Sequence, residues 1–534
     1  YFFRFKLPTN LTQLKSKLII TNLNLNGTPR CYDLTHKRRI LVAQSNGVYR
    51  ILTPNLGNIK DCIIIGGNDL IAVNILTPVS PDAKFTDFAT TGTFSNFIII
   101  SNKRLWNEAS NYAAYRNSTG KTSLLADIDE LYDQFAYGIK KNPLSIRRFV
   151  DFAVQSFTVK PEHVFIIGKG MSWDQGRKNA TNYAMCQVPT FGYPPSDVLL
   201  TAKISGTVGY EPGVPIGRIA ANNNLEVASY KNKVMQLESQ NDALWMKNIL
   251  HFAGGFDLPS QSTLKYYLQQ YESVVEDTSY GGNVTTFSKT SSAPIQITAS
   301  DSIRNLIETG VSMMTFFGHA AGSGFDQNID DPSTYNWGGK YPLLIANSCY
   351  VGNIHLPPGQ YITASENYTL TPNLGTIGFL ATVGANVLLP LYDYTRNFLI
   401  HLTQTNYGKG IGFAMKEAIK TVQVNSYDLL KDACLEMTLH GDPSIDVNTH
   451  ALPDYAISIP NVYSAPSIIT ADLDSFNLNI IVSNIGKAIN DSVILEVKRI
   501  LPNGTVGGTF SKLIKAPYYK DTITFKINTD PLNG

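Results

Sequence analysis

Between residues 94 and 445, short runs of consecutive apolar residues alternate with stretches whose apolar positions recur every three or four residues. The runs lie in FSNFIIISNKRLW (94–106), HVFIIGKG (163–170), VPIGRIAA (214–221), MKNILHFAGG (246–255), VSMMTFF (311–317), YPLLIAN (341–347) and GTIGFLATVG (375–384). Each is apolar on both faces, as a strand must be when helices cover both sides of its sheet. In LLADIDELYDQFAYG, Leu124, Ile128, Leu131, Tyr132 and Phe135 fall at helical spacing, and LSIRRFVDFAV reads as a second amphipathic helix. Further helices are expected at 224–240, at 301–310 with a glycine stop, and at 409–424. The alternation predicts a parallel, helix-covered sheet.

The pattern differs at both ends. Residues 1–92 place short apolar runs (KLIITNLNL, RRILVAQS, DCIIIGG) between Gly, Pro and Asn turns, which predicts an antiparallel β domain. After LHGDPSIDV (439–447), apolar and polar residues alternate in period two with a turn about every ten residues, the pattern of an immunoglobulin-like sandwich. At 534 residues the chain is too long for a single core.

Composition narrows the function classes. Charged residues make up only 16%, against about 25% in ordinary globular chains. Asn, Thr, Ser, Gly and Tyr take their place, as in many secreted β-rich proteins. A net charge of +2 gives no footprint for nucleic acid. No apolar run approaches the roughly 18–20 residues of a membrane span. The five cysteines (Cys31, Cys62, Cys186, Cys349, Cys434) include no CxxC pair and no metal spacing with histidine, and an odd count leaves one thiol unpaired. The chain opens on YFFRFKLP without Met and ends on NTDPLNG, so it reads as an internal piece of a longer mature protein, with the last domain incomplete.

Two strand runs end in chemistry. VSMMTFFGHAAGSG carries His319, and YPLLIANSCYVGN carries Cys349. Both sit where a parallel strand hands over to its loop, the crevice in which open α/β sheets bind ligands. Adjacent strands would bring imidazole and thiol to one rim, as a cysteine nucleophile and its base require. The backbone N–H groups of Ala320 and Cys349 are the oxyanion candidates, with small neighbours at Gly318, Ala321 and Gly322. A buried cysteine and a satisfied histidine are the bland alternative. His355, six residues past the cysteine, is a second imidazole. Asp326, Asp330 and Asp331 are expected to solvate a loop, with structural calcium or orientation of the histidine as other roles. Asp197 is expected in a turn, and Asp442 at the turn closing the α/β unit. Gly168-Lys169-Gly170 lacks the rest of a phosphate loop.

FFGHAAGSG followed thirty residues on by ANSCYVGN resembles the active-site pair of the gingipain-type cysteine peptidases, and more closely their PorU-type sortase branch of type IX secretion. DELYDQFAYGI, PLSIRRFV, VPTFGYPPSD, VPIGRIAA and LHGDPSIDV extend the resemblance over 94–447. It implies a caspase-like α/β fold with a His319–Cys349 dyad, two subdomains (93–245 and 246–450), a β-rich domain before them (1–92) and an immunoglobulin-like domain after them (451–534). The chain has Ala320 where gingipains usually have glycine. It has Ala253, and Asp257 too early, where the arginine-specific members place acids, so arginine specificity does not carry over. The resemblance further implies a surface sortase on the extracellular face of the outer membrane. Such an enzyme removes C-terminal signal domains from exported cargo and needs no cofactor. Its partners would be an outer-membrane β-barrel and a glycolipid amine acceptor. A secreted endopeptidase with the same dyad and a non-catalytic scaffold binding cargo are the competing readings.

Overall fold

The structure, a computed structural model, describes residues 2–529 except 76–83, 291–299, 322–323, 327–328, 330, 360–361, 426 and 471. The chain divides into two compact units, Tyr1–Lys84 and Phe85–Gly534. The first is all antiparallel β: a four-stranded sheet ordered Phe2–Leu7, Lys60–Gly66, Pro29–Asp33, Arg38–Ile40, and a three-stranded one centred on Val48–Pro54. Cys31, Tyr49, Ile51, Cys62 and Ile64 form its core.

The second unit is built on one ten-stranded sheet. Its strands, in chain order, are β1 (Phe97–Ser101), β2 (Ser123–Asp127), β3 (His163–Ile167), β4 (Ile216–Ile219), β5 (Asn248–Ala253), β6 (Asn283–Ser288), β7 (Met313–Phe317), β8 (Leu343–Asn347), β9 (Gly378–Thr382) and β10 (Met437–Gly441). In space they run β6-β5-β7-β8-β9-β10-β4-β3-β1-β2. β1, β3, β7, β8 and β9 are buried at every residue, which is why their sequences are predominantly apolar on both faces. Helices cover the sheet, among them Trp106–Ser118, Leu144–Ser156, Asn224–Glu238, Leu258–Val275, Leu388–Ile400 and Ile411–Val422.

Two expectations are corrected here. The sheet is mixed, not parallel throughout: β10 runs antiparallel to β9 and parallel to β4. This last strand therefore joins the half of the sheet built by 97–219 to the half built by 248–382. Leu124 belongs to β2 and not to the helix, which begins at Ile128. Leu124 and Ala126 alternate inward on the strand, and Asp127 caps the helix by accepting the Asp129 N–H.

Asp442 holds the junction after β10, as the sequence suggested. It receives the Tyr112 hydroxyl, the Arg116 guanidinium and the Ser444 N–H, while its own N–H goes to the Tyr230 hydroxyl. Beyond it, Ser475–Asn484 pairs with Val462–Ala465 and Lys520–Asn528, and Ser492–Ile500 forms a hairpin with Val506–Lys515. Their inward faces share a core of Ile480, Val482, Ile514, Ile523, Phe525 and Ile527. This sandwich rests on the α/β unit, with Lys247 Nζ 2.8 Å from Tyr518 O and the Tyr519 hydroxyl 2.9 Å from Asn248 Oδ1.

Candidate active site

β7 and β8 are parallel neighbours, with Phe317 opposite Asn347. His319 and Cys349 each lie two residues past that pair, so both loops leave the same carboxyl edge from strands about 4.8 Å apart. The Gly318 N–H continues the ladder to Asn347 O at 3.3 Å. Asn347 is itself fixed, its amide oxygen taking the Thr395 hydroxyl at 2.7 Å.

Cys349 is partly exposed, and its Sγ lies 3.6 Å from Asn386 O. All five cysteines are free thiols, and the other four are buried. Tyr350, directly after Cys349, has φ +62°. That left-handed conformation is uncommon for a bulky residue. Its N–H is tied to Gly384 O at 3.0 Å, which holds the turn.

His319 is partly exposed, and its ring stacks on Phe256 with centroids 4.1 Å apart and planes 13° from parallel. Asp257 follows Phe256 and caps the helix Leu258–Val275 in a reciprocal box with Ser260. Its hydrogen bonds to Ser260 chiefly hold its carboxyl below the usual range, and the nearby charge of His319 adds to this.

Asp326 is a buried loop acid, not a solvated one. It accepts the Gly255 N–H at 2.8 Å, lies 3.6 Å from Lys289 Nζ, and sends its own N–H to His319 O at 2.9 Å. Its carboxylate fits only because two neighbours lack side chains: a Cβ on Gly254 or Gly318 would come within 2.1 or 2.6 Å of Oδ1. Asp326 thus ties the segment after β5 to the loop carrying His319. Since His319 and Asp326 make the bonded contact, Ala320 and Phe325 form the intervening non-bonded pair of this short antiparallel ladder. The Ala320 N–H is thereby turned away from the hairpin. Among the described residues, no backbone hydrogen bond uses the Cys349 N–H.

The remaining expectations are resolved by burial. His355 is fully buried, 3.8 Å from Asp197, and burial pushes its pKa down to about 3, so it is a neutral interior group. Asp197 lies at the turn that opens the short helix Val198–Leu200, its carbonyl accepting the Leu200 N–H at 3.0 Å, and its buried carboxylate forms a fork with Arg218, both contacts 2.7 Å. Burial alone would raise its carboxyl, but the guanidinium outweighs it and holds the group below the usual range. Lys169 forms a buried pair with Glu366. Asp331 caps a short turn by accepting the Ser333 N–H and binds Asn367, and Asp330 lies outside the described residues. Among the described residues, no group of three His, Cys, Asp or Glu side chains is placed to hold a metal ion.

The model of peptidase family C25 matches residues 90–448. The structure is similar to that of the Arg-specific cysteine proteinase gingipain R (RgpB), with 14% identity, TM-score 0.52, 85% of this chain and 100% of that one covered. It is similar also to the complex of Porphyromonas gingivalis RgpB pro- and mature domains, with 13% identity, TM-score 0.53, and coverage of 82% and 100%. Dimeric latent PorU from Porphyromonas gingivalis aligns at 12% identity and TM-score 0.44, over 98% of this chain and 48% of that one. No curated protein matches the chain. With two thirds of its residues in that match and the two gingipain structures sharing its fold, the chain belongs to peptidase family C25.

Proposed function

We propose that the protein is a thiol acyl transferase acting as a cell-surface sortase of type IX secretion. Cys349 attacks the peptide bond that joins an exported protein to its C-terminal signal domain. His319 accepts the thiol proton and returns it to the leaving amine. The N–H groups of Ala320 and Cys349 receive the oxyanion. Phe256 stacks on the imidazole, and the Asp326 N–H holds the His319 main chain. The acyl-enzyme then passes to an amine, such as that of a glycolipid, or to water. The observation that carries this reading is the parallel register of Phe317 with Asn347, which sends both chemical side chains off one sheet edge.

Support for sortase action over free proteolysis comes from the sequence segments resembling the PorU-type branch. The protein is expected on the extracellular face of the outer membrane, held by a β-barrel partner. Among the described residues no helix is long and apolar enough to cross a membrane. A secreted endopeptidase shares the first half-reaction and differs only in the second. In the native organism, Cys349→Ala should leave the protein folded and surface-bound while exported proteins retain their signal domains. Normal processing by that variant overturns the proposal. Wild-type products joined to an amine select transfer over the endopeptidase, and products that all end in a free carboxylate exclude the amine acceptor.

A further inference from the structure

A cavity of about 370 Å³ is lined by Asp174, Tyr193, Tyr350, Gly384 and Glu436 among others, Tyr350 being the residue directly after Cys349. Glu436 ends the helix Asp428–Glu436 and is only 8% exposed, and its Oε2 has no hydrogen-bond partner. A Cβ on Gly384 would lie 2.7 Å from that oxygen, so the carboxyl is pressed against the segment that also anchors Tyr350 and meets the Cys349 thiol. Asp174 is held by the Ser172 hydroxyl at 2.6 Å and by exposed Lys178 at 3.4 Å. The lining residues include two carboxyls and no Lys, Arg or His. Such a wall attracts an ammonium group, while two carboxyls without a third ligand do not make a metal site.

We propose that this cavity receives a primary amine beside the acylated Cys349 and that Glu436 takes the proton the amine gives up. This inference rests on the thiol acyl-transfer reading and supplies its second half. The bound ammonium first gives one proton to solvent; the neutral amine nitrogen then forms a bond to the thioester carbonyl carbon, and the C–S bond breaks with its electron pair going to Sγ. The N–H proton passes to the Glu436 carboxylate and later returns to the thiolate. Water in place of the amine gives hydrolysis by the same route. Burial raises the Glu436 carboxyl to about 7, with Asp432 on its own helix pushing the same way. The Asn386 amide, from the loop after β9, opposes them, and Asp174 is the other charged group in the cavity wall. A base in that range is matched to accepting a proton near neutral pH.

The test uses the full chain, acetylated at Cys349 with p-nitrophenyl acetate, and follows loss of the acetyl mass as glycinamide is added. Resolution of the wild-type acetyl-enzyme should saturate in glycinamide, yield N-acetylglycinamide and follow an ionisation near pH 7. The acetyl-enzyme of Glu436→Gln should resolve on the order of a hundredfold more slowly and lose that ionisation. Asp174→Asn should need several-fold more glycinamide for half-saturation. Wild-type resolution by Glu436→Gln, or a wild-type profile flat between about pH 5 and 8, overturns the inference. Should Glu436→Gln fail to fold, the wild-type profile decides. Absence of any acetyl adduct on Cys349 is a separate failure, that of the thiol reading itself.

Discussion

Gly318, one residue before His319, packs against the buried carboxylate of Asp326, whose backbone N–H bonds the carbonyl oxygen of His319. Adding a methyl group there would push a Cβ to 2.6 Å from an oxygen that has no room to retreat. Gly318→Ala is therefore expected to displace the His319 loop and to cost about 1–3 kcal/mol, as overpacking does. Asp326→Ala should cost more, about 3–5 kcal/mol, because it removes the counterion of buried Lys289. Urea unfolding midpoints check both, and a wild-type midpoint for either would mean that this contact does not hold the loop. The sequence exposed His319 and Cys349 because an apolar run ending in a reactive side chain is a local signal. Phe256 was not legible as a neighbour of His319, and Asp326 was legible only as one of three loop acids with orientation of the histidine among its other roles. Their approach depends on the pairing of β5 with β7, which no local pattern encodes.

The helix Ala364–Leu370 is capped by Thr363, which accepts the Glu366 N–H while the Glu366 carboxylate accepts the Thr363 N–H. The same Glu366 pairs with buried Lys169, so one short helix binds the loop after β3 to the region beyond Cys349. The two roles separate by size. Thr363→Ala loses a cap, about 1 kcal/mol, whereas Glu366→Ala also strands an ammonium group that is 1% exposed, about 3–5 kcal/mol. Equal losses in calorimetric or urea unfolding would contradict this account. The doubly buried strands announced themselves in the sequence, but the helix Trp106–Ser118 did not. Its inward face, Ala109, Tyr112, Ala113 and Arg116, keeps helical spacing but is too weakly apolar to stand out. The edge strand β6 was equally silent, being half-buried along its whole length. The insertion of β10 between β9 and β4 lies beyond local pattern altogether, since it is a matter of strand order.

At the scale of the whole molecule, four buried histidines set an acid limit on the fold. Burial lowers His163 to about 4 and His251, His355 and His440 to about 3, all from 6.5. Between those values and 6.5 the unfolded chain binds protons that the folded chain refuses, so stability falls as pH drops below 6.5. At pH 5.5 each histidine costs about 1.4 kcal/mol. Glu436, raised to about 7, works the other way over the same range, but it is one group against four. Asp197 and Asp442, held low, add their losses only below about pH 4. Urea midpoints should therefore fall between pH 7.5 and 5.5 by the equivalent of a few kcal/mol. A midpoint that is constant or rises with acid would contradict the neutral burial of these rings.

The central claim is that His319 and Cys349 act together as base and nucleophile. The most direct measurement is the rate at which p-nitrophenyl acetate acetylates Cys349, read from intact and peptide masses in wild type and His319→Ala. The account predicts a single acetyl group on Cys349, formed on the order of a hundredfold or more slowly without the imidazole. Acetylation of Cys349 at the same rate in both proteins, or no adduct at that thiol, would contradict it.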